Sequence, residues 1–128
     1  MANIIDSVKY TKEHEWVKVE GDIAVQGITD YAQSELSDIV MVDPPAIGKK
    51  VKAGEATGTI EAVKAVSDLF AGISGEVIEV NDKVVADPSI VNKDPYGEGW
   101  LYKVKIEDPK EYETLLTPEQ YKELIAKH

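Results

Sequence analysis

The sequence predicts a mainly β fold, a barrel or sandwich of short strands with a few short helices. Three observations predict it. Residues 46–81 hold closely spaced glycines between short apolar runs, which indicates tight turns between short strands. In "EWVKVE" valines alternate with charged residues, as in a strand with one exposed face. Successive helix-start signals occur only after residue 107.

The first third of the chain predicts two strands, a helix and a third strand. Runs 16–19 and 23–28 are rich in β-branched residues, and the turn signal "EGD" separates them. Thr29 has the residue type of an N-cap and precedes a short helix near residues 29–36. "IVMVDPP" predicts a buried strand that two prolines end.

The middle of the chain predicts a hairpin with a lysine at its tip. "GTIEAV" and "AVSDLF" are strand-like, and Val63 and Lys64 lie where they meet. The segments "DIVMVD" and "KKVKAGE" before this hairpin are echoed by "GEVIEVN" and "DKVVADP" after it. This echo predicts a quasi-twofold sandwich with the hairpin at one end.

The last third predicts a loop, a strand and two helices. "VNKDPYGEGW" is typical of a loop, and residues 100–106 predict the strand that follows. Asp108-Pro109 and Thr117-Pro118 start the helices, and Gln120 completes a capping box. We expect a single domain over 1–128, with a sandwich core at about 15–106 and a C-terminal helical segment at about 108–127.

Composition excludes several classes of function. The chain has a net charge of −10 and 14 lysines but no arginine, which argues against nucleic-acid binding. It has no bilayer-length apolar run and no N-terminal apolar signal core, so we expect a cytoplasmic protein that does not bind membranes. It has no cysteine, so any thiol chemistry requires a cofactor.

The sequence contains little that supports an enzymatic function. The histidines are His14, between two glutamates, and the terminal His128. A small metal hydrolase that uses His14 and its neighbouring glutamates stays an alternative, but one histidine with carboxylates is a weak metal signature, and we expect no metal. "YGEGW" lacks the lysine and helix of a phosphate-binding loop. An unmodified acidic β sandwich that acts as an interaction module is a further alternative.

Lys64 is the remaining candidate. A lysine at a turn is more often a solvated charge than a functional group. Its amine nevertheless projects on a flexible stem, so an enzyme could reach it and acylate it.

Four segments together carry a family resemblance. "GTIEAVKAVSDLFAGISGEVIEVN" resembles the lipoyl-attachment region of the glycine cleavage H-protein family. "HEWVKVEGDIAVQGITDYAQSELSDIV", "DPYGEGWLYKVKI" and "LLTPEQYKEL" resemble other parts of that family, in order along nearly the whole chain. Biotinyl carriers usually flank their lysine with methionines, and 2-oxoacid dehydrogenase lipoyl domains usually have Asp-Lys-Ala. Val63-Lys64-Ala65 follows the H-protein pattern, although Ala62 replaces a serine that many relatives have.

The resemblance implies a fold and a modification site. The fold would be a lipoyl-type barrel-sandwich hybrid with a lysine hairpin. Lys64 would carry lipoate in amide linkage, and its dithiolane would supply the missing sulfur. Glu61 and Gly75 match positions implicated in lipoylation, so they would serve in recognition by the lipoate-attaching enzyme.

The resemblance also implies a function. The protein would be a monomeric shuttle of the glycine cleavage system with no catalytic activity of its own. It would move the aminomethyl group from the pyridoxal-phosphate enzyme glycine decarboxylase to the tetrahydrofolate-dependent aminomethyltransferase. Dihydrolipoamide dehydrogenase, with FAD and NAD, would reoxidise the dithiol. The alternative is a lipoate-relay carrier that donates lipoyl groups to other enzymes.

Finally, the resemblance implies a cleft that docks the loaded arm. Carried over to this chain, its residues are Glu15, Ser67 and Asp68. The cargo is a cationic amine, so a carboxylate would offset its charge, and Glu15 is the expected partner. Glu13 stands where some relatives have serine, and both a docking role and a solvent-facing charge are open for it.

Overall fold

Short strands are the commonest regular structure in the chain. The computed structural model describes residues 3–127. Its strands are β1 (Lys9–Tyr10), β2 (Glu15–Glu20), β3 (Ile23–Ile28), β4 (Ile39–Asp43), β5 (Lys50–Val51), β6 (Ala56–Ala62), β7 (Val66–Phe70), β8 (Gly75–Val80) and β9 (Tyr102–Ile106). Its helices are α1 (Asp30–Leu36), α2 (Asp82–Ala86), α3 (Ser89–Lys93), α4 (Lys110–Glu113) and α5 (Pro118–Ala126).

The strands form two sheets. One has six strands in the order β1-β2-β3-β9-β8-β5, and the other has three in the order β4-β6-β7. All pairs are antiparallel. Within residues 3–127 neither sheet closes on itself, so this part of the chain is an open sandwich with short helices. The predicted mainly β fold with a lysine hairpin is confirmed.

The main core fills the space between the sheets. Val17, Ala24, Val77 and Val104 from the large sheet and Ile60 from the small one belong to a single buried apolar cluster. Alternation along each strand explains this packing, because every second side chain faces the opposite sheet.

A second apolar cluster lies where the chain ends pack on the large sheet. It contains Val8, Tyr10, Trp16, Val25 and Tyr121. The rings of Tyr10 and Tyr121 are stacked, with centroids 4.4 Å apart. Helix α5 is therefore packed against β1 and β2 through Tyr121.

The predicted helix starts agree with the structure. The Thr29 side chain accepts from the backbone N–H of Ala32 and so caps α1. Thr117 and Gln120 form the reciprocal capping box of α5. These caps could be predicted because they depend only on neighbours in sequence.

Strand β4 is less buried than predicted. Ile39 and Val42 are buried, but Val40 and Met41 are 51% and 48% exposed. A break in register between Ile39 and Met41 marks a β-bulge. The prediction of a fully buried strand is wrong because β4 is an edge strand with one covered face.

The predicted loop before β9 contains helix. Residues 89–93 form α3, and the preceding segment 82–86 forms α2 rather than a second copy of β5. The Asn81 side chain accepts from the backbone N–H of Lys83 and caps α2. Val84 and Val91 are buried, so both helices are fixed by packing against the main core. The sequence echo therefore holds for the strands β4 and β8 and fails for the segments after them.

No helix among residues 3–127 is long and apolar enough to cross a membrane. His128 lies outside the described residues.

Candidate functional site

Lys64 lies in the exposed connection between β6 and β7. The turn is closed by a hydrogen bond from the Ala62 N–H to the Ala65 carbonyl, at 2.7 Å. The Val63 N–H donates to the Asp38 carbonyl at 3.0 Å, which ties the tip to the residue before β4. Lys64 is exposed, and Val63 beside it is 75% exposed. The predicted tip position of Lys64 thus holds, and its amine is accessible.

Glu61 lies in the middle strand of the small sheet. It is half-buried, with Met41 opposite it on β4 and Val66 opposite it on β7. Ile60 beside it is buried in the core. Because side chains alternate along a strand, Glu61 faces away from the core, on the side of the sheet open to solvent.

A cleft runs between the start of β2, helix α1 and strand β7. Its volume is about 510 Å³. We call it the tip cleft, and it is lined by Glu13, His14, Tyr31, Ala32, Glu35, Leu36 and Ser67. Ser67 follows Lys64 by three residues, so the cleft begins within a few residues of the modifiable amine. It combines carboxylates with apolar and aromatic walls.

The predicted docking residues occupy different places around this cleft. Glu13 and Ser67 line it. Asp68 is exposed and pairs with Thr59 of β6, on the face of the sheet that is turned away from the core. Glu15 is buried, at 4% exposure, and does not line the cleft.

Glu15 is held by neutral groups. One carboxylate oxygen accepts from the backbone N–H of Phe70 at 2.8 Å, and the other accepts weakly from the Thr11 hydroxyl at 3.4 Å. No lysine of the described residues forms an ion pair with it. Burial raises the pKa of Glu15 to about 8, with a further rise from nearby Glu13, against the lowering effect of the two hydrogen bonds. Glu15 is thus a buried carboxyl that joins β2 to the hairpin strand β7.

His14 is a structural part of the cleft, a role that no sequence pattern indicated. Its backbone has φ 68°, in the left-handed region, within a tight turn closed by bonds between Thr11 and residues 14 and 15. Its Nδ1 lies 2.9 Å from the Tyr121 hydroxyl, and that hydroxyl lies 2.7 Å from Thr29 Oγ1. Helix α5 therefore helps to hold this wall of the cleft in place.

Sequence reasoning also missed the helical wall. Tyr31 and Glu35 are one turn apart on α1, as are Ala32 and Leu36. Their helical spacing was a usable signal, but nothing local showed that this helix faces the hairpin. No group of three or more histidine, aspartate or glutamate side chains among residues 3–127 is arranged to hold a metal. The hypothesis of a metal hydrolase that uses His14 is therefore not supported by a set of ligands.

Gly75 is distant from the hairpin tip in sequence, and it lies in the large sheet, whereas the tip belongs to the small sheet. It belongs to β8 of the large sheet, where it pairs with Val51 and Ile106. A Cβ at this position would overlap the carbonyl oxygen of Lys105 on β9. The close approach of two backbones is therefore a structural reason for glycine here.

Comparisons with known proteins give one consistent result. The family model described as "Glycine cleavage H-protein" matches residues 8–128. A glycine cleavage system H protein from Bacteroides thetaiotaomicron is 54% identical over 123 residues, which cover 96% of this chain and 98% of that protein. A probable glycine cleavage system H protein from Aeropyrum pernix is 52% identical over 120 residues, 94% of this chain and 84% of that one.

The fold gives the same answer. The crystal structure of a glycine cleavage system H protein from Mycobacterium marinum matches with a TM-score of 0.89 and 40% sequence identity. The match covers 96% of this chain and 99% of the other. The similarity therefore extends to both sheets and the helices that build the tip cleft.

Proposed function

The chain belongs to the glycine cleavage H-protein family, and we propose that Lys64 is the residue on which it carries its lipoyl group. The protein is a lipoyl-carrying shuttle of the glycine cleavage system, and the other components of that system are its partners. The observation that carries the proposal is the fixed, exposed position of Lys64 between Val63 and Ala65. A primary amine there is open to acylation.

The residues around the tip fit a lipoyl group. The tip cleft has apolar walls from Ala32 and Leu36 that suit a hydrocarbon chain, and a polar rim at Glu13 and Ser67. Its volume of about 510 Å³ is in the range of small-molecule sites. The dithiolane supplies the sulfur chemistry that a chain without cysteine lacks.

Electrostatics support a docking role for the carboxylates of this region. Glu13 lines the cleft, Asp68 lies at the exposed side of β7, and Glu15 is buried and accepts from the Phe70 N–H. Burial favours the neutral form of Glu15, but a cation brought close to it would lower its pKa and stabilise the carboxylate, because the low dielectric strengthens their attraction. The proposal is that Glu15 pairs with the cationic cargo, with Ser67 and Asp68 assisting. Glu13 adds negative charge at the entrance.

The finer partners belong to the same proposal. Glycine decarboxylase with pyridoxal phosphate would load the arm, and the tetrahydrofolate-dependent aminomethyltransferase would unload it. Dihydrolipoamide dehydrogenase, with FAD and NAD, would reoxidise it. The protein itself would be a monomer in the cytoplasm without catalytic activity, which positions an arm whose chemistry belongs to cofactors. A lipoate-attaching enzyme would recognise Glu61, and Gly75 would act through the fold of β8.

Intact mass tests the attachment site. The parent, Lys64→Arg and Lys52→Arg are incubated with a lipoate ligase, lipoate and ATP. Lys52 is a matched exposed lysine in a turn. We expect one lipoyl adduct on the parent and on Lys52→Arg and none on Lys64→Arg. An adduct that persists on Lys64→Arg, or an unmodified parent, would contradict the proposal.

Lys64→Ala separates the site from the fold. Because an exposed tip residue contributes little packing, we expect an unchanged circular-dichroism spectrum together with complete loss of glycine-dependent shuttling. A collapsed spectrum would mean that Lys64 has a structural role. Transfer of the parent's lipoyl group to another enzyme, without glycine-dependent loading, would favour the relay alternative.

Ammonia release tests the pairing of Glu15 with the cargo. The loaded Glu15→Gln protein should lose ammonia faster than the parent, because its cationic amine has lost a buried partner. Glu20→Gln on the same strand is the control, since that side chain is exposed. Equal rates in the parent and Glu15→Gln would refute the pairing.

A further inference from the structure

An apolar patch surrounds Glu61 on the solvent side of the small sheet. Among residues 3–127, seven large apolar side chains are exposed, and four of them belong to this sheet or its tip. We call these the outer patch: Val40, Met41, Val63 and Val66. Scattered apolar side chains need no explanation, but a cluster beside a modification site does.

Strand register brings the patch together. Met41, Glu61 and Val66 are direct neighbours across β4, β6 and β7. The β-bulge turns Val40 outward beside Met41. Val63 extends the row towards the tip and is joined to the start of β4 by its bond to Asp38. The patch and Lys64 are therefore parts of one hydrogen-bonded unit, with a fixed relative position.

We propose that the outer patch is the docking surface for the acyltransferase that attaches the lipoyl group to Lys64. The inference rests on the proposed function of Lys64 and extends recognition from Glu61 to its apolar neighbours. The partner would present an apolar surface that covers Met41 and Val66.

The chemistry explains why this partner has to touch the hairpin. An activated acyl group, such as an acyl adenylate, is attacked by Lys64 Nζ. The new amide bond forms as the bond from the acyl carbon to the phosphate oxygen breaks, and the ammonium group gives up two protons to solvent. Before this step only the four carbons of the lysine side chain separate Nζ from the backbone. The acyltransferase must therefore contact the hairpin tip directly. Partners that act on the finished arm can reach it from farther away.

Charges near the patch indicate the partner's rim. Asp43, Thr59 and Asp68 form the next cross-strand row on the same face, so two carboxylates flank the apolar residues. Glu61 adds a third within the patch. A complementary partner would surround its apolar contact with lysine or arginine side chains.

Initial acylation rates test this assignment. The full chain and its variants Met41→Asp and Val66→Asp are mixed with a lipoate ligase, lipoate and ATP, and the adduct is followed by intact mass. We expect each substitution to slow acylation by about tenfold or more, as for a contact of about 1.4 kcal/mol. Ile47→Asp and Val85→Asp are controls, because both side chains are exposed elsewhere, and their rates should stay within about twofold of the parent.

Two further measurements make the result specific. Circular dichroism should show the same fold for every variant. Met41→Asp that has been fully lipoylated by long incubation should support glycine decarboxylase at the parent's rate. Parental acylation rates in Met41→Asp and Val66→Asp would overturn the inference and leave Lys64 as the site. Normal acylation with slow decarboxylase turnover would overturn it by assigning the patch to the decarboxylase. A parent that is not acylated at all would overturn the proposed function as well.

Discussion

Glu15 shows how a single buried carboxyl can link the site to the fold. Its carboxyl group accepts from the backbone N–H of Phe70 on the hairpin strand, and it follows His14, which lines the tip cleft. Burial favours its neutral form and raises its pKa to about 8. In the unfolded chain the pKa of this carboxyl would be near its ordinary value of 4.5. Between these two values the folded state holds more protons than the unfolded state.

This difference predicts the pH dependence of stability. The folded state binds the extra proton, so the free energy of unfolding should fall as pH rises from about 4.5 to about 8, by up to about 1.4 kcal/mol per pH unit. Glu15→Gln cannot titrate, so its stability should rise relative to the parent across that window. Urea unfolding of both proteins at several pH values measures the difference. A constant difference would show that Glu15 titrates normally.

At the residue scale, sequence patterns predicted the exposed tip position of Lys64 but not the environment of Glu15. The hairpin around Lys64 is a local feature, since its strands are adjacent in the chain. The partner of Glu15 is 55 residues away, and the partner of His14 on α5 is 107 residues away. Such contacts depend on how strands are arranged in space, which no spacing rule describes.

Helix α5 is coupled to the tip cleft through one hydroxyl. The Tyr121 hydroxyl lies between His14 Nδ1 and Thr29 Oγ1. Thr29 caps α1, which provides the opposite wall of the cleft. A C-terminal helix with no residue in the cleft thus positions two of its walls.

Tyr121→Phe tests this coupling. The ring stacking on Tyr10 is retained, but His14 and Thr29 lose a partner. We expect a loss of about 1–2 kcal/mol in the free energy of unfolding, together with faster hydrogen exchange in residues 11–15. Tyr112→Phe is the control, since it keeps ring packing in α4. Equal protection in parent and variant would show that the hydroxyl does not hold the turn.

Gly75→Ala tests whether this glycine acts through strand pairing. The added Cβ would overlap the Lys105 carbonyl oxygen, so β8 and β9 must separate. We expect a loss of about 1–3 kcal/mol in stability, whereas Glu76→Ala at the next, exposed position should cost little. Slower acylation of Gly75→Ala without any loss of stability would instead indicate direct recognition by the acyltransferase.

At the element scale, the sequence predicted what neighbouring residues determine. Helices α1 and α5 have polar caps followed by helical spacing, and both were predicted. Helices α2 and α3 have only five residues each and depend on burial of Val84 and Val91. The sequence of α2 therefore resembled the β5 segment, and that of α3 resembled a loop. The bulge in β4 was equally hidden, because it is a property of the pairing with β6.

The whole molecule is strongly acidic, and this should affect association. The net charge is −10, and no arginine is present. We expect acylation of Lys64 by a lipoate ligase to slow as sodium chloride is added, because salt screens attraction between this surface and a cationic partner. Glycerol at the same osmolality is the control. A rate that salt does not change would show that charge does not guide this encounter.

At this scale the family resemblance predicted more than the patterns did. Glycine spacing indicated a barrel or sandwich without selecting between them. The open pair of sheets depends on long-range pairings such as β3 with β9, which join residues about eighty positions apart. Local periodicity does not specify which strands become neighbours.

The anchored hairpin tip has a consequence for the lipoyl arm that we propose Lys64 to carry. The bonds from Ala62 to Ala65 and from Val63 to Asp38 make the base of the arm stiff. The volume that the end of the arm explores is then set by the rotatable bonds of the arm itself. The folded protein sterically excludes the part of that volume on its own side of the tip. A smaller search volume means a higher effective concentration at any partner docked in front of the tip. The rigid base therefore favours rapid visits to a docked active site over a wide reach.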